Sequence, residues 1–222
     1  MGNYYYLMAG LPDLSLEDSN SGPSLLELKD DLKEILSYED KKLIYYFFLQ
    51  YDCKNLVGLL KDADAQIDPK GNYVMEQYKD MMISAREMNF NVHRYPSFMS
   101  EFARDYKYNK DSEGFFAEDV MAQRFYEYAV KCPNKMIAAW FRMNYDITNV
   151  LTAMIARKNG WDVSSYVMGN GEVAELLRNN NTRDFGLSAE YDYVNELMKI
   201  VDCEDPVEKE RKIDAFKWIW LD

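Results

Sequence analysis

From Ser24 almost to the last residue, apolar side chains recur at threes and fours, and alternation of period two persists nowhere. A face that repeats every ~3.6 residues buries as a helix, whereas a half-buried strand needs period two. The pattern predicts an all-α fold. Ser24-Leu25-Leu26-Glu27 reads as a capping box, followed by Leu25, Leu28, Leu32 and Ile35 on one face. A second helix starts at Ser37 to Asp40 and runs to about Lys61, apolar all round in its first half and so a core helix. Further helices are predicted over about 73–88, from Pro96, over about 115–131, from Pro133 to Asn159 with Gly160 as C-cap, over 164–167 and 172–179, from Ser188 to Val201, and from an Asp205 N-cap to the end. Residues 4–11 fit either a short strand or a first helical turn.

Two of these helices resemble each other. Residues 40–61, DKKLIYYFFLQYDCKNLVGLLK, align without gaps on 134–155, NKMIAAWFRMNYDITNVLTAMI. Lys41/Lys135, Phe47/Phe141, Tyr51/Tyr145, Asp52/Asp146 and Asn55/Asn149 are identical, and most other positions stay apolar. The shared core is Tyr-Asp-x-x-Asn. Aspartate and asparagine three apart share a helical face, and in an apolar helix they are buried only if hydrogen-bonded. They are expected to tie the helix to loops or to the ends of neighbouring helices. Arg142, one turn before Asp146, is a candidate partner for that carboxylate. A third Tyr-Asp-x-x-Asn at Tyr191, Asp192 and Asn195 has unrelated flanks and reads as coincidence. The repeat suggests two helical units in one body, 1–110 and 111–222, the second including the start of a third.

Composition narrows the function. The 222 residues include 48% apolar and 15% aromatic side chains, enough for a packed core, and the net charge is −12. Such a surface repels phosphate backbones, so nucleic acid is not expected as a partner. Tyrosine suits half-buried contact surfaces. Cys53, Cys132 and Cys203 are widely spaced and odd in number, as in a cytosolic protein with reduced thiols. No signal peptide or apolar run of ~20 residues is evident, so direct membrane insertion is not expected.

No catalytic constellation assembles. His93 is the only histidine, which excludes histidine-rich metal sites and leaves no convincing triad. The calcium-loop-like start at Asp62 has Ile67 and Tyr73 where glycine and glutamate are required. Gly169-x-Gly171-x-x-Ala174 matches a dinucleotide fingerprint only if a strand precedes it, and helices precede it here. A glycine turn re-entering a helix is the simpler reading. The chain is therefore expected to be no enzyme, with no cofactor and no metal.

The stretch 145–178, YDITNVLTAMIARKNGWDVSSYVMGNGEVAELLR, resembles the characteristic segment of the V/A-type (V-type) ATPase C-subunit family, whose members are also called d-subunits. There, a helix carrying Asp-x-x-Asn-hydrophobic exits through an arginine–glycine segment into a short helix, a glycine turn and another short helix. The matching residues are Asp146, Asn149, Val150, Arg157, Gly160, Gly169 and Gly171. The segment from Tyr51 to Lys61 resembles the same motif, and the opening NYYYLMAGLPDL resembles a little-characterised bacterial family associated with V-type ATPase operons. The opening lacks the arginine that usually follows the family's aromatic residues, and family chains are longer, with a third repeat. The resemblance implies a non-catalytic socket between the central axle and the membrane rotor ring. It implies those components as partners and a cytoplasmic location peripheral to the membrane. Tyr4, Tyr5, Tyr6, Trp218 and Trp220 are the candidate contacts. An apolar helix reaching Leu221 implies truncation or a partner-covered face. A helical adaptor or scaffold of another complex remains the alternative.

Overall fold

The computed structural model describes residues 4–11, 24–87 and 94–221, and among them there are ten α-helices, one short 3₁₀ helix and no strand. The helices are α1 (Tyr5–Gly10), α2 (Leu25–Ile35), α3 (Tyr38–Lys61), α4 (Met75–Glu87), α5 (Ser97–Asn109), α6 (Ala117–Ala129), α7 (Lys135–Lys158), α8 (Glu172–Asn179), α9 (Val194–Val201) and α10 (Pro206–Leu221). The 3₁₀ turn covers Val163–Ser165. In the stretch 4–11, ambiguous in the sequence, Tyr5–Gly10 are helical. His93 lies outside the described residues.

Local chemistry fixes several of the helix ends. Ser24 Oγ accepts the Glu27 N–H while Glu27 returns a carboxylate to the Ser24 N–H, so both halves of the predicted capping box form. Asn134, one residue past Pro133, caps α7 by accepting the N–H groups of Met136 and Ile137. Gly160 has a φ of 71° and Trp161 N–H reaches back to Ala156 O, which closes α7 with a left-handed turn. Asp205 Oδ1 accepts from Val207 and Glu208, starting α10 as the sequence predicts.

One helix start differs. The helix expected from Ser188 begins at Val194. Asp184 draws the chain into turns instead, accepting the N–H groups of Gly186 and Ser188 and the Ser188 hydroxyl, while Phe185 and Gly186 both adopt positive φ. Aspartate bonded to its own downstream backbone competes with helix formation.

By internal packing the chain forms two compact units, divided between Ala138 and Ala139 within α7. A boundary near residue 110 would separate α5 from α6, which pack on each other in the first unit. In that unit α3 lies against α5 and α6, and α4 against α5. Leu49, Leu56, Tyr78, Met81, Met99 and Phe102 are fully buried there. In the second unit Val150 and Ala153 of α7 are buried with Leu177 of α8, Phe185, Leu187 and Leu197 of α9. Each large apolar side chain buried this way stabilises its unit by about 1.5–3 kcal/mol before entropy is counted.

Candidate functional site

The two Tyr-Asp-x-x-Asn segments sit in the middle of α3 and α7, the two longest helices. Each asparagine makes the same double bond to the loop that follows its own helix. Asn55 Nδ2 donates to Asp68 O at 3.0 Å, and Asp68 N–H donates to Asn55 Oδ1 at 2.7 Å. Asn149 Nδ2 donates to Met168 O at 2.9 Å, and Met168 N–H donates to Asn149 Oδ1 at 2.8 Å. A carboxamide carries a donor and an acceptor side by side, so it can satisfy both polar groups of one residue's backbone. Neither an aspartate nor a leucine at that position could do so. In both units a glycine follows three residues on, Gly71 and Gly171, and the next helix begins shortly after.

The aspartates behave differently. Asp52 is fully buried. Its Oδ1 accepts from Tyr73 N–H at 3.0 Å and the Tyr78 hydroxyl at 2.6 Å, and its Oδ2 accepts from Asn72 Nδ2 at 2.7 Å. Asn72 also donates to Tyr45 O. Burial pushes the Asp52 carboxyl pKa up, although all these bonds favour the ionised form. Gly71 is required beneath this network, since a Cβ there would lie 2.6 Å from Asp52 Oδ1 and 3.0 Å from Asn55 Nδ2.

Lys29 completes the first site. It is only 3% exposed, and its ammonium donates to the carbonyls of Pro69 (3.2 Å), Lys70 (2.7 Å) and Gly71. Burial pulls its pKa down, Lys33 adds to that, and Asp52 opposes it. The 68–73 loop is thus held from two sides, by α2 through Lys29 and by α3 through Asp52 and Asn55, and Tyr78 of α4 braces both of those α3 side chains. The Tyr45 and Tyr73 hydroxyls bond to each other beside it at 2.5 Å. No sequence motif points to Lys29. The available signal is a lysine on the Leu25, Leu28, Leu32 face of α2, where a solvated charge does not belong.

Asp146 is half-buried, and among the described residues no side chain or backbone N–H donates a hydrogen bond to it. Burial pushes its carboxyl up to about 6, opposed by the field of Arg142. Arg142 is exposed, and its charge reaches Asp146 without a hydrogen bond or close ion pair between them. Burial raises the pKa of Tyr191 and Tyr193, and the nearby Asp146 charge adds to both. Where Asp52 organises a loop, the second loop is held by other groups. The Tyr145 ring, buried, packs on Gly169, whose φ is 71°. Arg178 donates to Val167 O at 2.7 Å.

Arg157 leaves α7 toward the 180–185 turn. Its guanidinium donates to Thr182 O and to Asn180 O (3.1 Å), and lies 3.5 Å from the centre of the buried Phe185 ring. That is a loop anchor with a cation–π contact. Tyr51 is half-buried, with Lys54 and Lys70 over its ring.

The profile described as "Protein of unknown function (DUF2764)" matches residues 1–222. The chain belongs to the DUF2764 family. No curated protein and no solved structure matches this DUF2764 chain.

The candidate contact residues are at the chain's two ends. Tyr5 and Tyr6 on α1 are 78% and 97% exposed. Tyr4 is engaged instead, donating to Asp40 and accepting the Ser37 N–H, which fastens α1 to the start of α3. On α10, Trp218 and Trp220 are partly exposed, and Trp220 packs at 6.1 Å from Trp140. No described helix is long and apolar enough to cross a membrane. Among the described residues no group of three His, Cys, Asp or Glu side chains is placed to hold a metal ion.

Proposed function

We propose that this DUF2764 protein is a non-catalytic coupling component in the central stalk of a V/A-type ATPase, joining the axle to the membrane rotor ring. The observation that carries the reading is the order of elements after Asp146. An Asp-x-x-Asn helix (α7), an arginine–glycine exit at Arg157 and Gly160, the 3₁₀ turn at Val163–Ser165, a glycine turn at Gly169 to Gly171 and the short α8 follow in sequence. This is the succession that the resemblance to the ATPase C-subunit family implies. The Asn55 and Asn149 clamps add a physical reason for it. A part that transmits torque must not let its loops shear from its helices, and each clamp pins a loop to the middle of a long helix.

In this reading the exposed Tyr5, Tyr6, Trp218 and Trp220 are contact surfaces, and attachment to the membrane runs through the rotor ring. The same exposed aromatics favour an alternative, a helical adaptor in another assembly. Affinity isolation of the tagged full chain from gently solubilised native membranes separates the two. Co-purification of the axle and rotor-ring proteins is the expected result. Repeated recovery of a different complex, with no ATPase components, would reject the proposal in favour of the adaptor.

A further inference from the structure

A cavity of about 310 Å³ opens in the first unit between α2, the first half of α3 and the 72–77 segment. Its floor is apolar, formed by Leu32, Leu36, Ile44 and Phe48. Three lysines line it, Lys29, Lys33 and Lys41, and among the described residues no carboxylate does. The chain as a whole has 38 acidic against 26 basic side chains, so this lining reverses the local sign. The reversal comes from the helical phase of α2. Lys29, Leu32, Lys33 and Leu36 face the cavity, while Asp30, Asp31 and Glu34 are not in its lining. On α3, Lys41, Ile44, Tyr45 and Phe48 face it, and Glu39 and Asp40 do not.

The cavity is also built in advance. One wall is the loop that Asp52, Asn55 and Lys29 hold in place. The Lys29 protons are all given to carbonyls and Asp52 lies near enough to compensate its charge, so the positive charge offered to a ligand is that of Lys33 and Lys41. Lys33 and Lys41 are exposed at the rim. Lys33 meets Asp30 at 3.2 Å, but both groups are well exposed, and such a pair is weak enough to exchange for another carboxylate. An apolar centre inside a polar, solvent-accessible rim is the anatomy of a protein-binding patch.

We propose that this cavity docks a short segment of a partner protein in which an apolar side chain sits beside glutamate or aspartate. The apolar side chain fills the floor, and the carboxylates meet Lys33 and Lys41. The site goes beyond the rotor-coupling reading and does not depend on it, because an adaptor in any assembly could use it.

The test uses the full-length chain and three probes: an acetylated hexapeptide alternating leucine and glutamate, its twin with lysine in place of glutamate, and octanoate. Binding is followed by amide and methyl NMR shifts. The glutamate peptide should bind saturably, shift Leu32, Leu36 and Ile44, and weaken with added salt. The lysine twin should not bind. The double variant Lys33→Glu/Lys41→Glu, at two exposed positions, should keep its helical circular dichroism and lose about tenfold or more in affinity. Equal affinity for both peptides, shifts elsewhere on the molecule, or an unaffected double variant would overturn the proposal. So would saturable octanoate binding without peptide binding, which would make this a site for small carboxylates.

Discussion

Asp52 and Asp146 occupy the same place in two similar helices, next to asparagines that make the same pair of bonds. In the first unit the carboxylate is a hub. Three donors converge on it, a buried lysine lies near, and the loop around Gly71 can close only because that glycine has no side chain. In the second unit the carboxylate is half-buried with no donor among the described residues, and burial raises its pKa to about 6. The comparison separates what the repeat needs from what one copy has added. The asparagine clamp is the common element that ties helix to loop. The aspartate's role depends on what the following loop returns to it. The first loop returns Asn72 and Tyr73, and α4 behind it returns Tyr78, whereas the second loop sets Gly169 against the Tyr145 ring instead.

The sharpest way to break this comparison is Asp52→Ala. It strands the Tyr78 hydroxyl, the Tyr73 N–H and the Asn72 amide, and it leaves Lys29 without a compensating charge. A loss of about 3–5 kcal/mol is expected in urea unfolding of the first unit. A loss below about 1 kcal/mol would mean that the loop does not depend on the carboxylate. Next come Asn55→Ala and Asn149→Ala. Each deletes two hydrogen bonds to one backbone residue, and Asn55→Ala also loses the bond to the Tyr78 hydroxyl, so each should cost about 1–3 kcal/mol in its own unit, Asn55→Ala toward the upper end. Similar losses would support the equivalence of the clamps, and a silent Asn149→Ala would break it.

The smallest effect expected is also the most diagnostic. A folded pKa near 6 against an ordinary 3.8 means that folding favours the protonated form of Asp146. Its ionisation therefore costs stability, a cost that grows as pH rises from about 4 to about 6 and is complete above that. The site is only half-buried and solvent screens it, so the cost is on the order of 1 kcal/mol. Asp146→Asn should stabilise the second unit slightly at pH 7, and the gain should vanish below pH 4. The sequence alone suggests the opposite, a loss of about 1–3 kcal/mol for Asp146→Ala, by treating both aspartates as hydrogen-bonded.

That difference shows where sequence reading reaches its limit. The all-helical fold is legible because periodicity, the Ser24 and Asp205 caps and the Gly160 C-cap are local signals. The role of Asn55 and Asn149 is also legible, since a buried amide in an apolar helix has to find backbone partners. The partners of the aspartates are not, because they come from loops 20 or more residues downstream in the first unit. Lys29 donates to carbonyls 40 to 42 residues away, and helical periodicity carries no information at that range. The Ser188 start fails for a local reason that the pattern hides, namely that Asp184 bonds the Gly186 and Ser188 N–H groups and the Ser188 hydroxyl and so holds 184–188 in turns.

The central claim is that one shared motif carries a hub carboxylate in one unit and an unbonded one in the other. The most direct measurement is urea unfolding of Asp52→Asn and Asp146→Asn side by side at pH 7 and pH 4. Asp52→Asn should destabilise at pH 7, because its amide would meet the Asn72 amide donor to donor. Asp146→Asn should be neutral or stabilising at pH 7 and lose any gain at pH 4. Comparable destabilisation by both substitutions at pH 7 would contradict the account.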